Sequence, residues 1–271
     1  MSRDLRLALR QVAYTNRAFW RNPASAFFTV AFPLMFLVIF TALFGNGTVV
    51  ALGQRVRTST FYVAAIVAFS IITATYTNLA ISVTFARDEG ILKRIRGSPL
   101  PPWAYLFGRV AHAVLVGLLL VAITVSFGAL FYGAEPPTRT LPAYLLTVAI
   151  GAASFSALGL AVTVAIPNAD AAPAVVNASI LPLLFLSDIF IPIRDPGAWY
   201  VKVAEIFPVY HFAQAVQAAS FAPSGSGLRG GDLAMVAAWG AVGALAAARW
   251  FRWQPRVGSG RTTRRRGAPG P

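Results

Sequence analysis

The chain has 271 residues, 57% of them hydrophobic and 12% charged, which is about half the charge density of a soluble domain. It contains no cysteine, which excludes a disulfide framework, a thiolate metal site and a cysteine nucleophile. The net charge of +14 would point to nucleic acid in a soluble protein, but no basic folded domain remains between the apolar stretches to bind it, so the charge is read as membrane topology.

The leader, residues 1–23, carries Arg3, Arg6, Arg10, Arg17 and Arg21. At about 100° per residue these fall within an arc of about 60°, with Leu5, Ala8, Leu9, Val12, Phe19 and Trp20 on the other side. This pattern predicts an amphipathic helix in the headgroup layer, either a plain anchor or a surface that also meets a partner. Asn22-Pro23 ends it. A charge-free stretch, Ala24–Gly45, follows. It is longer than the core of a signal peptide, so a first membrane span is expected rather than a cleaved leader. The next connection holds Arg55 and Arg57, and Phe61–Ala86 is the second stretch. Taken as one regular helix, it puts Ser70, Thr73, Thr77 and Thr84 on one face and Thr75, Asn78 and Ser82 on another. Such residues serve either as interhelical hydrogen-bond partners or as a polar path or seam.

The second connection runs Arg87-Asp88-Glu89-Gly90-Ile91-Leu92-Lys93-Arg94-Ile95-Arg96-Gly97-Ser98-Pro99-Leu100. It predicts a short basic helix ended by Gly97 and Pro99. Glu89 precedes Lys93 at the spacing of a favourable helix pair, and Leu92 and Ile95 form an apolar edge. The segment is either a solvated loop or a docking element. Val110–Ala134 and Leu141–Ile166 are the third and fourth stretches. The fifth, Ala171–Ile193, contains three prolines and Asp188. As a helix it would put Asn177 and Asp188 on one face. Within 194–232, Trp199, Val203 and Ile206, then Phe212, Val216 and Ala219, predict two short helices around Pro208. They either dip back into the outer leaflet or rest on its surface. Leu233–Ala248 is the sixth stretch, extended by Arg249, Trp250 and Phe251. The tail, 251–271, is rich in Arg, Gly and Pro and is expected to be disordered and lipid-facing.

The fold class is therefore all-α, a six-span domain over 24–250. Alternate polar segments hold 17 basic residues against 6, which places both termini and the second connection in the cytoplasm. Only two of the 23 basic residues are lysine, a bias that fits a GC-rich bacterial genome and a bacterial plasma membrane. His112 and His211 have no partners at metal-ligand spacing, so no metal site is expected. Gly225-Ser226-Gly227 reads as a flexible linker.

The segment Asp88–Leu100 resembles the cytoplasmic coupling segment of ABC-2-type export permeases, which begins acidic-Gly-x-Leu and ends in a Thr/Ser-Pro turn. Asn22-Pro23-Ala24 and Phe32-Pro33-Leu34 are similar to that family's first span. Ser187-Asp188-Ile189-Phe190-Ile191-Pro192 and Phe207-Pro208-Val209-Tyr210-His211-Phe212 are similar to its segment after span five. The likeness covers about residues 15–250 in order, nearest to the daunorubicin-resistance type. Asp188 departs from it, since glycine is commoner there.

The resemblance implies an exporter subunit that pairs with a second permease, the same or related, and with two ATPase subunits. Asp88, Glu89, Gly90, Leu92, Lys93, Arg94, Ile95, Arg96, Ser98 and Pro99 would couple to the ATPase. Ser70, Thr73, Thr77, Asn78, Asn177 and Asp188 would border the path or dimer seam. No catalytic residue is expected. No G-x-x-x-x-G-K-[ST] loop is present, so ATP and Mg²⁺ would be held by the partner. The first alternative is an ion-coupled transporter, which would normally show charged mid-membrane residues or a repeat, and a membrane-embedded hydrolase using Ser226 is a further one.

Overall fold

The computed structural model describes residues 3–44, 47–193, 195, 197–222 and 225–254. The chain folds as helix α1 (Arg3–Trp20), α2 (Pro23–Phe44), a hairpin of β1 (Thr48–Ala51) and β2 (Gln54–Arg57), α3 (Thr58–Ile72), a π-helical turn (Thr73–Thr77), and α4 (Asn78–Asp88). Then follow α5 (Ile91–Arg96), α6 (Pro102–Tyr132), α7 (Leu141–Val162), α8 (Ala172–Leu186), α9 (Trp199–Ala204), α10 (Pro208–Phe221) and α11 (Gly230–Trp250). Five of the described helices are long and apolar enough to cross a membrane: α2, the continuous rod α3–α4, α6, α7 and α11. Gly45, the end of the first expected span, and Arg256 onward in the tail lie outside the described residues.

The fifth expected span is shorter than its apolar stretch. Its helix, α8, has 15 residues, about 22 Å at 1.5 Å per residue against a hydrocarbon core of about 30 Å. Pro182 lies inside it, and it stops at Ser187, whose hydroxyl donates back to the Leu184 carbonyl at 3.2 Å. Asp188 then takes φ 65°, the left-handed region that glycine occupies freely and aspartate tolerates. Its carboxylate accepts from the Ile193 N–H at 2.6 Å and from Gln217 Nε2 at 3.2 Å, closing the turn. Asn177 and Asp188 therefore do not share a helix face, because the helix ends between them.

The rod α3–α4 is the axis of the bundle. Every residue of α3 is buried, and α6, α7, α10 and α2 pack around it. The π-helical turn corrects the regular periodicity expected for the second span. A π turn holds more residues than an α turn, so residues after Thr77 are rotated away from the faces that a uniform 100° step assigns. It also turns backbone carbonyls towards α7. A Cβ at Gly159 would lie 2.9 Å from the carbonyl oxygens of Thr75 and Tyr76, so only glycine lets α7 approach. The Tyr76 and Ser179 hydroxyls, 2.7 Å apart, tie the same turn to α8. On the other side of α7, a Cβ at Gly240 would meet Ser154 Oγ at 2.5 Å. This small-residue contact is the usual way membrane helices pack closely.

The two ends of the bundle differ. At one end the unanticipated hairpin is bonded into the fold: Gln54 Nε2 donates to the Phe221 carbonyl and Arg57 Nη1 to the Gly133 carbonyl, both at 3.0 Å. Of the two expected helices in 194–232, α10 is a core element. Val209, Phe212, Ala213, Val216 and Ala219 are fully or almost fully buried, against α3, α7 and α11. At the opposite end lie α1, α5 and the α7–α8 connection. There α1 packs lengthwise on α6, with Ala8 and Thr15 buried, while Leu5, Leu9 and Trp20 of its apolar side remain exposed.

Candidate functional site

The end bearing α5 is built by a short run of punctuation. The rod finishes at Asp88. Glu89 still donates its N–H to the Phe85 carbonyl at 2.9 Å. Gly90 then adopts φ 73°, and no atom would crowd a Cβ there, so the backbone angle alone reserves the position for glycine. After this reversal α5 starts afresh at Ile91. Gly97 ends it. Ser98 Oγ donates to the Ile95 carbonyl at 2.8 Å and accepts from the Leu100 N–H, and Pro102 opens α6 at its first turn, where its missing N–H costs nothing.

This geometry corrects three expectations. Glu89 and Lys93 are not a pair on one helix, since Gly90 separates two helices between them; among the described residues they form no ion pair. Leu92 is not an outward apolar edge. It is fully buried in a cluster with Leu79, Val83, Tyr105 and Ala113, against which Ile95, Phe251 and Trp253 also pack. Asp88 does not face outward either. Its Oδ2 accepts the Ala169 N–H at 2.5 Å and its Oδ1 the Arg87 Nε–H at 3.2 Å. What α5 presents outward is Lys93, Arg94 and Arg96, with Glu89, Ser98 and Pro99 exposed beside them. Among the described residues these cations have no carboxylate partner.

Arg87 is the residue that sequence reasoning missed. It reads as one more topology charge, yet its side chain is 2% exposed. Nη1 and Nη2 donate to the carbonyls of Thr163 and Ile166, each at 2.9 Å. These oxygens lie just past the end of α7, where carbonyls lack helical partners. Arg87 and Asp88 together thus lock the end of the second span to the connection leading into α8. The only available signal was position, since they are the first charges after a long apolar stretch.

The expected path residues do not gather into one lining. Ser70 is buried in α3 and donates to the Ile66 carbonyl at 2.7 Å. Asp188 is buried in its turn near the hairpin end. Thr73 and Thr77 are partly buried in the π turn, and Asn177 is exposed on α8. Asn78 and Ser82 border a cavity beside α1. A second polar knot went unanticipated: His211 Nδ1 lies 2.7 Å from Asp232 Oδ1, and Arg229 Nε forms an ion pair with Asp232 Oδ2 at 2.6 Å. It joins α10 to the start of α11. Ser226, the nucleophile of the hydrolase alternative, accepts the Leu228 N–H in its own turn, and no imidazole bonds it among the described residues.

A family model described as "ABC-2 type transporter" matches residues 10–221. The chain is 24% identical over 200 residues to a putative transport permease, ycf38, of Porphyra purpurea, covering 73% of this chain and 68% of that one. It is 25% identical over 200 residues to the daunorubicin resistance ABC transporter permease protein DrrB1 of Streptomyces coeruleorubidus, covering 73% and 69%. To the probable multidrug ABC transporter permease YbhR of Escherichia coli (strain K12) it is 25% identical over 133 residues, 49% of this chain and 36% of that one.

Proposed function

Because the chain belongs to the ABC-2 type transporter family, we propose that it is the membrane-spanning subunit of an ATP-driven exporter, moving a hydrophobic or amphipathic substrate out of the cell. A separate ABC ATPase subunit holds ATP and Mg²⁺, and a second copy of the chain, or a related permease, completes the pathway. This subunit has no catalytic residue of its own. The α5 end faces the cytoplasm, in keeping with the basic asymmetry of the polar segments.

The observation that supports this reading best is the construction of α5. It shows three cations outward and is held inward by Leu92. A push on α5 is passed directly to the second span through Gly90, and through Asp88 and Arg87 to the link between α7 and α8. A partner that closes on ATP needs such a rigid contact to bias two states of the bundle. Thr73, Thr77, Asn78 and Asn177 remain candidates for the path or seam.

Lys93→Glu/Arg94→Glu/Arg96→Glu is expected to reach the membrane at wild-type level but to lose co-purification of the co-expressed ATPase and, with it, export. These side chains are exposed, so their reversal does not unfold the chain. Wild-type ATPase recovery would overturn the docking role. Orientation is tested separately, since the chain has no native cysteine. In intact cells a membrane-impermeant thiol reagent should label Val50→Cys and Trp199→Cys, and should label Ser98→Cys only after lysis. Labelling of Ser98→Cys from outside would reverse the topology.

A further inference from the structure

A cavity of about 960 Å³ opens between α1, α2, the α3–α4 rod and α6, at the α5 end of the bundle. That is the upper part of the range of ligand sites, far larger than an inorganic ion needs. Its walls are apolar and aromatic in large part, with Phe19, Leu79, Ile81, Phe85 and Val116 among them. Among the described residues its only formal charge is a cation, Arg109, and no carboxylate lines it.

Arg109 is held ready. Its Nε donates to the Tyr105 hydroxyl at 3.0 Å, and its guanidinium lies 5.3 Å from the centre of the same ring. Among the described residues no carboxylate pairs with it, and its terminal nitrogens have no hydrogen-bond acceptor. One turn further along α6, His112 also lines the cavity. Its ring meets Phe19 at 5.2 Å, and its buried Nδ1 has no partner. Asn78 and Ser82 add uncharged polar groups from the rod. An arginine fork without a protein carboxylate among the described residues matches a planar or tetrahedral oxyanion. The remaining walls match an apolar chain.

We propose that this cavity binds an anionic amphiphile, its negative headgroup on Arg109 and its apolar part along Phe19, Leu79 and Phe85. The carboxylate or phosphate could belong to a free single-chain amphiphile or to a membrane phospholipid. The site rests on the cavity's own chemistry and requires neither the ATPase nor a particular orientation of the chain.

The test uses the whole permease in phosphatidylcholine nanodiscs. Three diazirine-tagged probes are compared: a fatty acid, the corresponding uncharged fatty alcohol, and phosphatidylglycerol, with cross-links mapped by mass spectrometry. The acid, or phosphatidylglycerol, is expected to label peptides spanning 14–19 and 78–85 well above the alcohol. Arg109→Gln should reduce that labelling about tenfold, the loss of a charge-assisted hydrogen bond, and Arg109→Lys should retain part of it. Ser82→Phe, which fills the cavity and leaves Arg109 in place, should reduce it as well and guards against misfolding of an arginine variant. Labelling by the acid assigns the site to a free amphiphile, and labelling by phosphatidylglycerol alone assigns it to a resident lipid. Equal labelling by the alcohol, or labelling insensitive to both Arg109→Gln and Ser82→Phe, overturns the proposal. Because no ATP hydrolysis or export is read, such a failure leaves the exporter assignment untouched.

Discussion

Arg87→Met is expected to lower the membrane level of the chain severalfold and to shift its thermal aggregation midpoint down in detergent. The side chain is almost wholly enclosed and donates to the carbonyls of Thr163 and Ile166 while bonding Asp88. Methionine fills much of the volume but leaves both carbonyls without their donor and Asp88 with only the Ala169 N–H. Breaking a buried charge-assisted network by removing one partner costs about 3–5 kcal/mol, a large part of the stability of an ordinary fold. Arg87→Lys should rescue little, because an ammonium cannot serve three acceptors in the geometry of a planar fork. The measurement is fluorescence-detected size exclusion after a heating series, with Arg94→Met as the exposed control. Indistinguishable curves for Arg87→Met and wild type would show that the lock between the second span and the α7–α8 connection carries no stability.

Leu92→Asp should be as damaging, and for a different reason than docking. Burying a leucine contributes about 1.5–3 kcal/mol, and aspartate in its place must either be desolvated or pull α5 off the bundle. Leu92→Met, which conserves volume, should cost less than about 1.5 kcal/mol and leave ATPase recovery and export near wild type. The aspartate variant should therefore fail in membrane level and thermal midpoint before any partner is added. The outward charge reversals on α5 should fail only when the ATPase is present. If Leu92→Asp accumulates and melts like wild type, α5 does not rest on Leu79, Val83 and Tyr105, and the transmission route through it loses its anchor.

The contrast between these two sets of variants marks what periodicity can say. Leu92 and Ile95 form an apolar edge whether that edge meets a partner or the chain's own bundle. The pattern of residues is the same in both cases, and only the position of α4 and α6 chooses between them. Arg87 poses the same problem. Nothing local separates a topology charge from a buried one, because its acceptors lie 76 and 79 residues away.

Features that depend on local or additive physics were legible in the amino-acid order alone. Long charge-free stretches marked the five helices long and apolar enough to cross a membrane, because transfer into hydrocarbon sums over residues. Gly97 and Pro99 marked the end of the short basic helix, because each acts on its own backbone, whereas the reversal at Gly90 was read as part of that helix. The amphipathic leader and the two helices after α8 followed from the 3.6-residue period. Tertiary structure alone decided the π turn in the second span, the early end of α8 at Asp188, the burial of α10 and the inward direction of Leu92 and Asp88. Each of these depends on a neighbour distant in the chain: Gly159 against the π-turn carbonyls, Gln217 on Asp188, Ala169 on Asp88. Composition and spacing carry no record of such a neighbour, because the stabilising contact exists only once both segments are in place.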